Sequence, residues 1–392
     1  MTNNTLRRKI CFITGTRADY GIMSRLMHEL KQNPNVELQI IATNMHLSAL
    51  HGMTVNEIEN DGFTISKRVE MGTDSESPGA IVRSMGVEMA GMADAFEELK
   101  PDIIVILGDR YEMLVAASAA LIFSIPVVHL YGGETTEGAF DDSIRHAITK
   151  LSRLHFSSTE LYRERIIKMG ENPSDVHYVG ALGADNIDNM PIMSLEDLEK
   201  SLNFNLHPAY ILATFHPVTL ERGQAKQQID SFLDALDSFT DRFKILFTLP
   251  NSDTEGELIA ERIVEWAGQY PDTVLPINSL GRARYYSALK YASLVAGNSS
   301  SGLTEAPSMG IPTVDIGNRQ KGRARGCTII HCEPKPQEIK KAIEKALSPE
   351  FMSMCQKKHD NPYRKANTME NILRVLTETP LPLSPFKPFH DN

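Results

Sequence analysis

The residue types best suited to proton chemistry crowd into one stretch, Ile103–Lys150. An apolar run breaks at Gly108-Asp109-Arg110, and a second, Pro126–Leu130, breaks at Gly132-Gly133-Glu134. The chain then passes through Asp141-Asp142 to Arg145-His146. Asp109, Glu134, Asp141 and Asp142 are too many carboxylates for a site that only binds phosphate, because they repel it. Metal ligation is the plain alternative, but no cysteine accompanies them and the histidines lack an HExxH-type spacing. General acid/base work on a sugar fits better, since like-charged neighbours push their proton affinities apart and one can donate while another accepts. Arg110, Arg145 and His146 would hold the rest charged or bind a leaving group.

Other clusters suit an anion. Gly15-Thr16-Arg17-Ala18-Asp19-Tyr20 joins a strand to a helix, a place fit for phosphate. It is neither GxGxxG nor GxxxxGK[ST], so neither a dinucleotide nor a P-loop triphosphate is indicated, and a tight turn with Arg17 in solvent is the alternative. Asn298-Ser299-Ser300-Ser301-Gly302 follows an apolar strand and is expected to open a helix, with hydroxyls and backbone N–H groups at its positive end. Such a nest suits a diphosphate without a metal, whereas an ordinary serine N-cap needs one hydroxyl only. Glu305, one turn on, would accept from ribose hydroxyls or serve as a helix N-terminal acid. His216, in Phe215-His216-Pro217-Val218-Thr219, reads as a donor to phosphate oxygen or as a structural histidine, and Asn251 takes the analogous place after the next strand. Arg319, Lys321, Arg323 and Arg325 share a loop that is either solvated or lends one or two members to an anion clamp.

These residues sit at the ends of strands in a βα alternation. Apolar runs at Lys9–Thr14, Glu37–Thr43, 103–107 and 126–130 alternate with segments of helical period, such as Ile22, Met23, Leu26, Met27 and Leu30. A weak strand is expected at 64–69, a flexible segment at MGTDSESPGA and a helix from about Ile81 to Leu99. Right-handed βαβ crossovers then give a parallel sheet. Met190–Pro208 reads as a crossing, after which the alternation restarts from Tyr210 and ends with helices at 336–347 and about 364–378. The expectation is an α/β chain of two Rossmann-like doubly wound domains facing a cleft. The first spans 1–188, with the C-terminal segment 364–392 packing back on it, and the second, nucleotide-binding one spans 189–363. The tail LPLSPFKPF reads as extended.

At 392 residues two domains are the natural division. A net charge of −10 argues against a general nucleic-acid binder while leaving room for a local cluster that takes a small anion. Cys11, Cys327, Cys332 and Cys355 show no CxxC spacing, which points to a reduced, cytoplasmic protein. The N-terminus reads as a first strand, not a signal peptide, and the longest apolar stretch, Leu114–Ile125, is too short to span a bilayer. Neither nucleic acid nor membrane is expected as a partner.

Taken together the motifs resemble hydrolysing UDP-N-acetylglucosamine 2-epimerases, the sialic-acid and legionaminic-acid pathway enzymes with a glycosyltransferase-B-like fold. The resemblance covers nearly the whole chain: TRADYG at 16–21, GDR at 108–110, HLYGGE at 129–134, DDSIRHAITK at 141–150, HPVT at 216–219, PN at 250–251, GNSSSGLTEAP at 297–307 and GNRQ at 317–320. It implies that Arg17, Arg110, His216, Asn251, Ser299, Ser300, Glu305 and Arg319 contact UDP. It also implies that Asp109, Glu134 and Asp141 are the catalytic carboxylates, with His216 counted among the catalytic set. The implied reaction eliminates UDP with loss of the C2 proton, giving a glycal, and then adds water at C1 and a proton at C2. Neither metal nor nicotinamide is required, and a homodimer or homotetramer is expected. One departure stands out: several relatives carry glutamate in an HxEGGE pattern where this chain has Tyr131. A tyrosine there would accompany a 4-acetamido-4,6-dideoxy sugar, as in the legionaminic branch. The rivals are a glycosyltransferase, a non-hydrolysing epimerase that returns UDP-sugar, and a silent nucleotide-sugar sensor.

Overall fold

A computed structural model describes residues 7–49, 52–72, 77–136, 140–187, 192–218, 221–250, 255–358 and 361–391. The chain divides into two compact units, and each is a parallel sheet wrapped by helices.

The first unit holds Met1–Glu134, Asp141–Asp185 and Lys365–Asn392. Its elements run β1 (Arg8–Thr14), α1 (Arg17–Gln32), β2 (Val36–Thr43), α2 (Val55–Asn60), β3 (Lys67–Val69), α3 (Pro78–Leu99), β4 (Ile103–Leu107), α4 (Tyr111–Ile122), β5 (Val127–Leu130), α5 (Asp141–Leu151), β6 (Leu154–Ser157), α6 (Glu160–Lys168), β7 (Val176–Tyr178) and α7 (Leu182–Asn186). Strand order is β3-β2-β1-β4-β5-β6-β7, all parallel. Successive strand residues point to opposite faces. Accordingly Ile10, Phe12, Ile103 and Val105 pack with Met23, Leu26 and Leu30 of α1 on one face. Cys11, Ile13, Ile104 and Ile106 pack with Met92, Phe96, Met113 and Ala117 of α3 and α4 on the other. Two covered faces are why these strands read as unbroken apolar runs.

The second unit, Thr135–Phe140 with Asn186–Arg364, repeats the plan. Its elements are α8 (Leu195–Leu202), β8 (Tyr210–Thr214), α9 (Ala225–Asp237), β9 (Lys244–Thr248), α10 (Gly256–Ala267), β10 (Val274–Ile277), α11 (Gly281–Tyr291), β11 (Leu294–Gly297), α12 (Ser301–Thr304), β12 (Thr313–Ile316), β13 (Ile329–Cys332), α13 (Pro336–Ala346) and α14 (Pro349–Lys358). The order β10-β9-β8-β11-β12-β13 is again parallel. α15 (Thr368–Glu378) then lies with the first unit, its Met369, Ile372 and Leu376 buried beside α1. Among the described residues beyond it there is no helix or strand, and the half-buried Lys387 donates to Glu171 and to the carbonyls of Thr149 and Ser152.

The structure differs from the sequence reading in a few places. The expected crossing contains α8, capped by Ser194 and buried at Leu198. A further helix, α14, follows α13. The helix expected after the serine loop is the four-residue α12 followed by a 3₁₀ turn at Ala306–Met309. Pro307 has no N–H to give an α-helix, and Gly310 closes the turn in the left-handed region. The centre of the MGTDSESPGA segment and part of the crossing lie outside the described residues.

Candidate functional site

In an open parallel sheet, ligands bind beyond the strand C-termini where the strand order reverses. The first sheet reverses between β1 and β4, the second between β8 and β11. The motifs singled out in the sequence stand at those points: Gly15–Tyr20 after β1, Gly108-Asp109-Arg110 after β4, Phe215-His216 after β8 and Asn298–Ser301 after β11.

In the first unit, Thr16 caps α1 and Asp19 closes a capping box with it. The buried Asp19 carboxylate also accepts from the Thr14 hydroxyl (2.7 Å) and from the backbone N–H of Gly15 (3.0 Å) and Tyr20 (2.6 Å). Burial raises its proton affinity, and these hydrogen bonds oppose that. Asp19 therefore shapes the turn, and Arg17, on the first turn of α1, is the partly exposed cation it presents. Beside it, burial pushes His46 down to about 4. Across the reversal, Arg110 Nε donates to Glu112 at 2.8 Å, and Glu112 is fully buried. A Cβ on Gly15 would lie 2.7 Å from Glu112 Oε1, so only glycine lets the two turns close over that carboxylate. Sequence reasoning passed over Glu112; its one signal was its place two residues after Arg110.

The carboxylates are held by named partners. Asp109, about a quarter exposed at 24%, is ion-paired with Arg145, whose side chain is 1% exposed. Arg145 also meets Asp142 at 3.0 Å, and His146 lies 3.5 Å from the other Asp142 oxygen. Asp109, Asp142 and Arg145 are thus brought together from the end of β4 and the start of α5. Glu134 is 4% exposed and accepts from Ser158 at 2.6 Å, a partner the sequence did not suggest. Asp141 opens α5. Tyr131 is in the left-handed region at φ 68°, its ring lies against the apolar cluster of the first unit, and its hydroxyl accepts from Gly183 N–H at 3.1 Å. That contact gives the phenol a structural task at the start of α7. Among the described residues no group of three or more His, Cys, Asp or Glu is placed to hold a metal ion, and no helix is long and apolar enough to cross a membrane.

In the second unit, Asn298 is the hinge-pin of the reversal. Its side chain accepts from His216 N–H and donates to the His216 carbonyl, both at 2.7 Å. Its own carbonyl takes Arg319 Nη1 at 3.1 Å and Gln320 Nε2 at 2.9 Å. His216, Ser299, Ser300 and Arg319 are thereby gathered around one fully buried asparagine. Because α12 has four residues, the expected helix dipole contributes little, and the donors on offer are individual hydroxyl and N–H groups. Glu305 is buried beside Thr304, which donates to it; burial raises its proton affinity, while Thr304, Ser301 and Arg323 pull the other way. Arg325 drops out of the anion clamp: it pairs with the fully buried Asp315 at 2.7 Å, which also meets His331 at 3.2 Å. Asn251 lies outside the described residues.

Fold and loop placement define a class, the glycosyltransferase-B-like α/β proteins with two Rossmann-like units. The solved structure of UDP-GlcNAc 2-epimerase from Neisseria meningitidis bound to UDP-GlcNAc has this fold, with a TM-score of 0.80 at 17% identity, covering 95% of this chain and 100% of that one. Residues 28–377 match the family described as UDP-N-acetylglucosamine 2-epimerase, and the chain belongs to that family. It is 41% identical over 345 residues to the GDP/UDP-N,N'-diacetylbacillosamine 2-epimerase (hydrolyzing) of Campylobacter jejuni, covering 88% of this chain and 89% of the relative. It is 37% identical over 374 residues to the UDP-N,N'-diacetylbacillosamine 2-epimerase (hydrolyzing) of Legionella pneumophila, covering 95% and 97%.

Proposed function

We propose that the chain is a hydrolysing 2-epimerase that releases UDP and a free 2-epimeric sugar from a UDP-linked 2-acetamido sugar. The observation that carries this reading is the pairing of Asp109 with the buried Arg145 at the β4 end of a sheet reversal. Arg145 fixes the Asp109 carboxylate beside the strand end where a ligand would lie, and a base for the C2 proton must be held in reach of that proton.

In the first step a carboxylate takes the C2 proton, the C1–O bond breaks, and its electron pair leaves with UDP, forming a C1=C2 glycal. In the second, water adds its oxygen to C1 and C2 receives a proton on the opposite face. Asp109, Glu134 and Asp141 are assigned to this proton traffic. Arg17, Arg110, Ser299, Ser300, Arg319 and Asn251 are assigned to UDP, and His216 to a donor role at the departing phosphate oxygen. Glu305 is assigned to the ribose hydroxyls. The reaction as written consumes only water and needs no redox partner.

Two sugars compete. UDP-GlcNAc is the reading that the family description supports. The diacetamido-trideoxy analogue is favoured by the names of the two relatives at 41% and 37% identity. Tyr131, read in the sequence as a companion of the second sugar, accepts a hydrogen bond from Gly183 N–H through its hydroxyl. Parallel incubation with each UDP-sugar and no acceptor, following free UDP, tests both levels. Release from either sugar upholds the reaction and the faster one names the substrate; release from neither contradicts the proposal.

A further inference from the structure

Three fully or almost fully buried side chains of the first unit close a ring around Asp109. His129, on β5, lies 2.7 Å through Nε2 from the carbonyl of Gly108, the residue just before Asp109. A carbonyl only accepts, so Nε2 carries the proton and Nδ1 is left as an acceptor. Thr149, on α5, has one hydroxyl proton and two acceptors in reach, that Nδ1 at 3.3 Å and the carbonyl of Arg145 one turn back at 3.0 Å, and the proton is shared between them. Arg145 then returns through its guanidinium to Asp109 and Asp142. The backbone on one side of Asp109 and its side chain on the other thus both meet α5, the first through the shared proton of Thr149 and the second through Arg145. His129 and Thr149 have no exposed surface, and Arg145 has 1%. The space is filled: a Cβ on Gly132 would lie 2.9 Å from His129 Nδ1 and 3.1 Å from Thr149 Oγ1.

From this geometry we propose that His129 and Thr149 are positioning residues for Asp109, fixing the turn that aims its carboxylate. The proposal rests on the assignment of Asp109 to proton transfer. Neither residue touches substrate. Burial pushes His129 down to about 3, the Gly108 carbonyl opposes this, and the nearby His155, His146 and Lys387 depress it further. The ring is therefore the neutral Nε2–H form throughout the neutral range, and its hydrogen bond to Gly108 does not switch there. A misplacement of the order of 1 Å in a reacting group costs about a hundredfold in rate, so a small relaxation of this turn is enough to register.

The test uses the full chain and its UDP-sugar. Thr149→Val keeps side-chain shape and removes the hydroxyl, leaving His129 Nδ1 buried without a donor. The expected result is a fall in kcat of about tenfold or more with KM within about twofold, because aim is lost and binding is not. Thr149→Ser should restore most of the rate, which bulk packing alone would not do. Nitrogen-15 chemical shifts of the His129 ring should show the neutral Nε2–H tautomer between pH 6 and 8. Wild-type kcat in Thr149→Val, serine no better than valine, or a charged ring would overturn the proposal while leaving the functional reading intact. A wild-type chain that releases no UDP from either sugar would instead bring down the functional reading, and this proposal with it.

Discussion

The two units share a topology and differ in what they put at the reversal of strand order. In the first, the strand ends carry charges locked in pairs: Asp109 and Asp142 on Arg145, Arg110 on Glu112, and Glu134 on a serine. In the second, the same place is organised by a neutral asparagine that clips His216 to the serine loop and gathers Arg319 and Gln320. An ion pair nearby, Arg325–Asp315, draws an arginine of the loop that carries Arg319 onto a fully buried carboxylate. One framework thus carries two kinds of edge, since the loops vary where the fold does not. The carboxylate-rich edge suits proton transfer, where proton affinities must be set, with Arg17 and Arg110 beside it for UDP; the edge built on Asn298 offers donors that suit an anion.

The contrast is most exposed at Asp109. Asp109→Asn should cut turnover by about a hundredfold to ten-thousandfold, the usual worth of a positioned acid or base, while UDP affinity measured by calorimetry stays near wild type. A parallel loss of UDP affinity would erase the division between the units. Next comes Arg145→Met, which leaves two carboxylates without their buried partner. A loss of about 3 kcal/mol in denaturant unfolding is expected, tempered by the partial exposure of Asp109 and Asp142. A neutral result would mean the pair is dispensable. On the other side, Asn298→Ala removes both hydrogen bonds to the His216 backbone and should weaken UDP binding by about 1–3 kcal/mol. Unchanged UDP affinity would show that the second edge does not depend on its asparagine.

The smallest effects are opposite pH slopes. In the first unit Glu171 is buried, which raises its proton affinity, but hydrogen bonds from His155, Lys150 and Lys387 outweigh this and bring it down to about 2. A depressed carboxyl pKa gives stability that is present above its ordinary value and lost as pH falls through the folded one. The stability gap between wild type and Glu171→Gln should therefore shrink between about pH 4.5 and pH 2. In the second unit Asp315 raises the proton affinity of His331 through a hydrogen bond. That contribution is present below the ordinary histidine value and is lost as pH rises through the raised one. The gap between wild type and His331→Asn should shrink in that direction, and slopes of equal sign in both variants would break the contrast.

Much of the fold was legible because buried parallel strands are near-continuous apolar runs. IIVIL at 103–107 is a strand with the expected limits, and YILAT at 210–214 starts where the alternation was expected to resume. Helices hidden in an assumed linker were harder, although Ser194 followed by Asp197 was a readable start signal for α8. The helix opened by the serine loop is shorter than expected because Pro307 lacks the N–H that would continue α12. Within the site, the residue types were visible but their pairings were not. Asp109 and Arg145 stand 36 positions apart, and nothing local says that one arginine will serve two aspartates. Glu112, His129 and Ser158 drew no role, and Asn298 was read only as part of the serine loop, because they position other groups, and that task is defined only by three-dimensional neighbours. Arg325 shows the reverse: it looked like a ligand group and is instead tied to Asp315.

The most direct measurement is proton NMR of the reaction in D₂O with a UDP-linked 2-acetamido sugar and no acceptor. Elimination followed by hydration requires free UDP together with a free 2-epimeric sugar carrying deuterium at C2. Recovery of an intact UDP-linked epimer, or a released sugar that keeps its original C2 proton, would contradict the assignment of the first unit to proton transfer at C2.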